Sequence, residues 1–312
     1  MPGRLLVVGE ALIDAVETAA GVAEFVGGSP ANVAFGLGAL GHDVELATWI
    51  GPDARGRRIV ERCAQVGVCM VEGSIGAAAT SVAHASLNER GEARYRFDLS
   101  WSVPALAGLA AATHVHTGSL AATTEPGGSQ VLETVRAARP HATISYDPNV
   151  RPSLMGAVDD VRDRVEQLVA LADVVKASDE DIAWLYDGVG LTQVLRRWGE
   201  LGSALAVVTH GPGGATFALH HLGEQACCPA PALHVVDSVG AGDSFMAGLL
   251  SGLLDGGLLG GAAQRQALRG AGTSDVRPAL ERAVATAAVT VSTAGAYAPS
   301  RTEICRPDGA GR

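Results

Sequence analysis

The pattern that most constrains this chain is an alternation of short, continuous apolar runs with longer stretches of helical periodicity. Leu5 to Val8, ended by Gly9, is Leu/Val with no polar alternation, which fits a strand covered on both faces. Similar runs recur at Val44 to Trp49, Thr113 to His116, Ala142 to Tyr146, Val174 to Val175, Leu205 to Thr209 and Ala215 to Leu219. Helical patterns separate many of them: Ala31 to Leu40, Gly56 to Gln65, Gly127 to Ala138, Asp160 to Ala170, Ser178 to Leu185 and Leu191 to Leu201. Strand alternating with helix means parallel strands joined by crossovers. The expected fold is therefore α/β, a three-layer α/β/α sandwich around a mostly parallel sheet.

Two stretches break that rhythm. Residues 81 to 97 alternate small or apolar with polar side chains on both sides of N-E-R-G, the mark of a hairpin with one wet face. Residues 11 to 26 read as a second extended pair. Together, 11–26 and 81–99 are expected to form a small β lid over the C-terminal edge of the sheet, where ligands of open α/β sheets bind. No repeat, charge run or low-complexity linker divides the chain, so residues 1–312 are expected to act as one domain. The Ala/Gly-rich stretch 256–273 reads as a mobile loop between helices, and the tail after Arg306 as frayed.

Composition narrows the function classes. With 23 Lys and Arg against 33 Asp and Glu the formal net charge is -10, which argues against nucleic acid, whose phosphates require clustered cations. An acidic protein that binds an anionic cofactor must do so locally, with backbone N–H groups, a few cations and a metal ion. The five cysteines form no C-x-x-C pair, so no disulfide framework or structural zinc site is indicated and a reduced, cytoplasmic setting is expected. The opening apolar stretch is too short for a signal peptide. The run Phe245 to Ala263 approaches the length of a membrane span, but Asp255 interrupts it and glycines and serine dilute it, so no membrane partner is expected.

Two glycine patterns compete. Gly36, Gly38 and Gly41 spell G-x-G-x-x-G, yet a dinucleotide fingerprint must occupy a strand-to-helix turn. Here S-P-A-N-V-A-F reads as a helix start, with Ser29 as N-cap and Pro30 at the first helical position. Gly36 and Gly38 then fall inside that helix as close-packing sites, and Gly41 stops it. D-S-V-G-A-G-D at 237–243 is better placed: Leu233 to Val236 reads as a strand, Gly240 to Gly242 as a turn and Ser244 to Leu254 as a helix. Turn amides at a helix N-terminus make an anion hole. Asp243 has two readings there: a helix cap bonded to free N–H groups, or a base that takes a proton from a hydroxyl attacking a bound phosphoryl group.

These residues resemble the ribokinase-like, or PfkB, carbohydrate kinases, and most of all their fructokinase branch. The resemblance covers nearly the whole chain: G-E-A-L-I-D at 9–14, G-G-S-P-A-N-V-A at 27–34, G-P-D-A-R-G at 51–56 and D-P-N-V-R at 147–151. It continues through A-D-V-V-K-A-S-D-E-D at 172–181, V-V-T-H-G-P-G-G-A at 207–215 and D-S-V-G-A-G-D at 237–243. What it implies is transfer of the γ-phosphoryl group of ATP to a sugar's primary hydroxyl, with Asp243 as base and the Gly240, Ala241 and Gly242 amides as anion hole. Asp14, Gly28 and Asn32 would hold the sugar, with Tyr95 and Phe97 of the lid beside it. Arg151 would lie near the transferring phosphate; Lys176, Thr209, Gly211 and Gly214 would approach ATP. Mg2+ would bridge phosphate oxygens, with Asp181 reaching it through water, and Asp237 would help hold K+ with carbonyls around Ser292 to Gly295.

Simpler readings stand beside these: Asn32 as a second helix cap, Arg151 and Lys176 as solvated cations, Asp237 as an aspartate ordering its turn. The sequence also departs from the family pattern. Ser238 replaces the common Thr, an acid one methylene shorter than the usual Glu stands at Asp181, and Tyr95-Arg96-Phe97-Asp98-Leu99 differs from the usual lid run. A kinase for another sugar, a sugar acid such as 2-keto-3-deoxygluconate, or a nucleoside remains an alternative, as does a silent sugar or nucleotide sensor. His114 and His116 share a strand face without a third metal ligand and are read as packed. His220-His221 and Cys227-Cys228 each face opposite ways along a strand, and Trp49, Trp101, Trp184 and Trp198 are read as packing, with a place in the sugar pocket as the alternative for Trp101, which follows the lid. A homodimer pairing through the lid is expected from its open edges.

Overall fold

The computed structural model describes residues 3–18, 21–87, 93–231 and 235–305. Its strands are β1 (Arg4–Val8), β2 (Leu12–Thr18), β3 (Gly21–Gly27), β4 (Val44–Ala47), β5 (Val68–Met70), β6 (Val82–Leu87), β7 (Ala93–Asp98), β8 (Ala112–Gly118), β9 (Thr143–Asp147), β10 (Val174–Ser178), β11 (Leu205–Thr209), β12 (Ala215–Leu219) and β13 (Glu224–Cys228). Its helices are α1 (Ser29–Ala39), α2 (Ala54–Gln65), α3 (Gly127–Ala138), α4 (Pro152–Met155), α5 (Val158–Val169), α6 (Asp179–Leu185), α7 (Leu191–Leu201), α8 (Ala241–Asp255), α9 (Ala262–Gly270), α10 (Thr273–Val291) and α11 (Arg301–Ile304).

The large sheet has the order β13-β12-β11-β10-β9-β8-β1-β4-β5. It is parallel from β5 to β11 and antiparallel beyond, because only residues 210–214 join β11 to β12, too few for a crossover. One face packs on α1, α2, α8 and α10 through side chains such as Leu37, Ile59, Leu249 and Leu280, and the other on α3, α5, α6 and α7 through Val135, Leu168, Leu185 and Trp198. This is the expected three-layer sandwich. From β1 the strand order proceeds one way to β4 and β5 and the other way through β8, so the topological switch lies between β1 and β8, at whose C-terminal ends open α/β sheets bind ligands.

The two extended pairs form a separate small sheet of order β3-β2-β6-β7. Glu24 on β3 fastens it to α2 by accepting from Arg55 Nε at 3.0 Å and Arg58 Nη1 at 2.9 Å.

Several expectations are corrected. The stretch 256–273 is not one loop: it contains α9, anchored by buried Leu268 and by Arg265 Nε donating to Asp173 Oδ1 at 2.9 Å. Leu233 to Val236 is not a described strand; residues 232–234 lie outside the described part, and Val236 N–H donates instead to the carbonyl of Val291 at the end of α10. Helix α8 starts at Ala241, not Ser244, and α1 starts at Ser29 with Gly28 as its cap, so the Ser29 hydroxyl is free for another partner. His220 and His221 sit in a turn of 3-10 helix after β12. The tail beyond residue 305 lies outside the described part.

Candidate active site

Helix α8 begins beside the C-terminal edge of the sheet. Gly240, its cap, has φ +75°, and a Cβ there would lie 2.7 Å from that of Ala296, so glycine is required twice over. The N–H groups of Gly240, Gly242 and Asp243 have no acceptor among the described residues, whereas that of Ala241 donates to the Ser238 carbonyl at 3.2 Å. The expected anion hole therefore has its open donors at Gly240, Gly242 and Asp243 rather than at Ala241.

Asp243 is the third residue of α8 and is buried. It does not cap its own helix; Oδ1 accepts from the Ser29 hydroxyl at 2.6 Å and Oδ2 from the Asn32 amide at 2.9 Å. The close approach has a packing cause. A Cβ on Gly36 would lie 2.5 Å from that of Ala247, so glycine lets α1 lie against α8. Asn32 and Gly36 are one helical turn apart, as are Asp243 and Ala247, so one contact sets the other.

A cleft of about 520 Å³ opens before this turn, lined by Arg151, Lys176, Asp181, Thr209, Gly211, Gly240, Gly242 and Asp243 among others. Lys176 on β10 is 3% exposed and donates to Asp147 Oδ2 at 2.9 Å, and a Cβ on Gly242 would lie 3.0 Å from its ammonium. It is no solvated lysine: burial opposes its charge, but Asp147 and Asp181 hold its pKa above the ordinary lysine value. Arg151 reaches the cleft with its guanidinium on the oxygens of Asn149 and the carbonyl of Val150. Asp181 accepts from Val150 N–H at 2.7 Å and, in a capping box, from Ser178 N–H at 2.8 Å. Gly214 is not among the lining residues; its φ of +85° and a contact of 2.2 Å from an added Cβ to the Cys228 carbonyl give it a packing role against β13.

On the other side of Asp243, Asp14 on β2 bends over Gly27, where an added Cβ would meet Oδ2. Burial first, then the charge of Asp243, push its carboxyl up to about 6, against the pull of Arg151. Gly28, at φ +101°, lies on the Glu10 carbonyl, 2.5 Å from where a Cβ would be. Ala83 pairs with both Asp14 and Phe97, and Ala85 with both Val16 and Tyr95, so register puts Tyr95 and Phe97 on the face of the small sheet that carries Asp14. The side chains of Tyr95 and Phe97 lie outside the described part. Asp237 ties two loops together, accepting from Val239 N–H at 3.0 Å and Gly295 N–H at 2.8 Å.

Three residues of the site escaped the sequence reading. In the sequence Ser29 reads as a cap, Asp147 stands in a motif that gives it no role of its own, and Glu10 carries no assignment. Glu10 is buried at the end of β1, accepts from Ala121 N–H at 2.9 Å, and is pushed up to about 7 by burial, with a smaller push from Asp243. For Glu10 and Asp147 the signal available was an acid at or just past the C-terminal end of a buried strand; Ser29 carried none beyond its place at a helix start.

The family model for pfkB family carbohydrate kinases matches residues 3–303. A fructokinase of Klebsiella pneumoniae is 33% identical over 268 residues, which span 83% of this chain and 87% of that protein. The crystal structure of fructokinase with bound ATP from Xylella fastidiosa superposes with a TM-score of 0.84 at 25% identity, covering 97% of each chain. Aminoimidazole riboside kinase from Salmonella enterica, at 22% identity, shares the fold with a TM-score of 0.78 over 97% of this chain and 98% of that one. A buried acid held at the N-terminus of a helix with open amides, on a sheet of this topology, agrees with those matches, and the chain belongs to the pfkB family of carbohydrate kinases.

Proposed function

We propose that this protein transfers the γ-phosphoryl group of ATP to a primary hydroxyl of fructose in the cytoplasm, with the whole chain acting as one domain under a β lid. The observation that carries this reading is Asp243: an acid buried at the start of α8, oriented by Ser29 and Asn32, beside three amides without acceptors. Its Oδ2 takes the proton of the sugar hydroxyl as that oxygen attacks phosphorus. The open amides and Lys176 face the charge that grows on the phosphoryl oxygens, with Arg151 at the cleft mouth and Thr209 and Gly211 on the nucleotide side. Asp14 and Gly28 border the acceptor side, and a sugar displacing the Asn32 amide from Asp243 would take over that donor.

The residues fit a magnesium ion that arrives with the phosphates. Asp181, held by the N–H groups of Val150 and Ser178, would reach the ion through water. The ion supplies neutralisation of phosphate charge. Asp237, bridging the anion-hole loop to Gly295, fits a monovalent cation such as K+ beside that loop. Val16 and Phe25 expose apolar surface on the small sheet, which supports pairing with a second copy there; light scattering decides it.

A kinase for another sugar, a sugar acid or a nucleoside is the second reading, favoured by the shared fold of the riboside kinase. A coupled assay of ATP consumption with fructose, ribose, adenosine and 2-keto-3-deoxygluconate separates them. Asp243→Asn should lower kcat by about 10²–10⁴ and leave sugar binding near normal; an unchanged kcat removes Asp243 from the chemistry.

A further inference from the structure

Three side chains form a diagonal step beneath the first turn of α8. His116 on β8 is level with Ser145, two residues before Asp147 on β9, and Ser145 is level with Val174, two residues before Lys176 on β10. All three point to the face that α8 covers, and all are buried. Lys176 and Asp147 share one hydrogen bond, but Asp147 Oδ1 and His116 Nε2 have no partner among the described residues. Two of the three ammonium hydrogens of Lys176 have no acceptor among them either. Buried polar atoms of this kind find partners in folded proteins.

The chain of bonds behind His116 shows what is missing. Burial, with His114 and Lys176 adding to it, drives the His116 pKa down to about 3, so its ring is neutral, with one donor and one acceptor nitrogen. Nδ1 lies 2.9 Å from Ser145 Oγ, which lies 2.9 Å from His114 Nε2, whose Nδ1 lies 2.9 Å from Thr143 Oγ1. Each hydroxyl has one proton, so donation runs one way along the chain. If Thr143 donates to the Thr113 carbonyl, Nε2 of His116 is a bare acceptor; if it donates to His114, Nε2 carries a proton. A water molecule satisfies both cases. It donates to Asp147 Oδ1, accepts from Lys176, and either donates to or accepts from Nε2, three bonds, the usual number for a buried water.

We propose that one internal water joins His116 Nε2, Asp147 Oδ1 and Lys176 Nζ, and that His116 is thereby a positioning residue for the ammonium of Lys176. With Asp147 Oδ2 and the water each taking one ammonium hydrogen, the third is left for the cleft beside Gly242, where an anionic phosphate oxygen is its acceptor. The second half of this inference rests on the kinase reading; the water itself does not.

A crystal structure of the unliganded wild-type protein at about 1.5 Å should show a water peak about 2.7–3.2 Å from all three atoms. Continuous density from Nε2 to another side chain, or no peak, overturns the proposal. His116→Phe should lower kcat about tenfold while the sugar KM stays within about twofold, since the water that fixes the ammonium loses one of its three bonds and no sugar contact is touched. His116→Gln, whose amide reaches the same place, should restore most of that loss. A full-rate Phe variant, or Phe and Gln variants that lose kcat equally along with melting temperature, makes His116 a packing residue only. Failure of the kinase reading would appear as a wild type that turns over none of the sugars, with the water peak still in place.

Discussion

Gly242→Ala isolates the role of Lys176 without touching a single functional group. The backbone at Gly242 is helical, so alanine suits it, and its N–H remains where it was. What changes is one methyl, placed 3.0 Å from Lys176 Nζ. That is tighter than an ordinary contact, so the ammonium must retreat by a few tenths of an ångström. Lys176 is buried and its partner Asp147 is fully so, which leaves the ammonium only the cleft it lines to give way into. Misplacing a catalytic group by about 1 Å costs roughly 10²-fold, so a shift of a few tenths of an ångström costs about tenfold at most. Alanine gains up to about 1 kcal/mol over glycine within a helix, enough to offset much of a stretched ion pair, so the melting temperature should move by less than about 3 °C. The expected result is thus kcat/KM down by about five- to tenfold in a protein of nearly unchanged stability, read from coupled ADP release and calorimetry. Activity within threefold of wild type would show that the ammonium is not poised against the transferred group.

Two further outcomes follow from the electrostatics. Glu10, raised to about 7, keeps its proton in the folded chain after the unfolded chain has lost it, so the folded state binds more protons between pH 4.5 and 7 and stability falls as pH rises through that window. The loss is at most about 3 kcal/mol; in urea unfolding at pH 5 and pH 7.5, Glu10→Gln should lack this contribution and so keep more of its stability at pH 7.5 than wild type does, while Asp14 and Asp147, raised to about 6, still lower stability over part of the range and buried His114 and His116, lowered to about 3, oppose them. For Asp237, replacement by Ala frees the N–H groups of Val239 and Gly295. If that carboxylate serves a cation, wild-type activity should rise severalfold when KCl replaces tetramethylammonium chloride at equal ionic strength, and Asp237→Ala should lose the response; equal rates in both salts for the wild type refute the role.

Much of the architecture was legible because its cause is local. Strands buried on both faces favour apolar residues throughout, and β1 and β11 announced themselves that way. The hairpin of the small sheet showed because one face stays wet. Helix α9 did not show, since its anchor is Arg265 meeting Asp173, a contact between segments 92 residues apart. The strand expected before Gly240 lies in part outside the described residues; at its described end Val235 and Val236 are apolar but exposed, and the partner of Val236 N–H is a helix end that periodicity cannot see.

The candidate site divides along the same line. Glycine at 240 and an acid at 243 follow from chain-local needs, a left-handed cap and a place beside open amides, so the residues alone put chemistry there. That Asp243 turns to Ser29 and Asn32, more than two hundred positions away in the chain, depends on Gly36 letting α1 rest on α8. That Lys176 is a buried cation, not a solvated one, depends on Asp147 standing on the next strand. Backbone conformation is governed by near neighbours, and so it is written in short windows of residues. The direction of a carboxylate and the charge of a lysine are governed by whichever groups packing brings within a few ångströms, and only the assembled fold decides which those are.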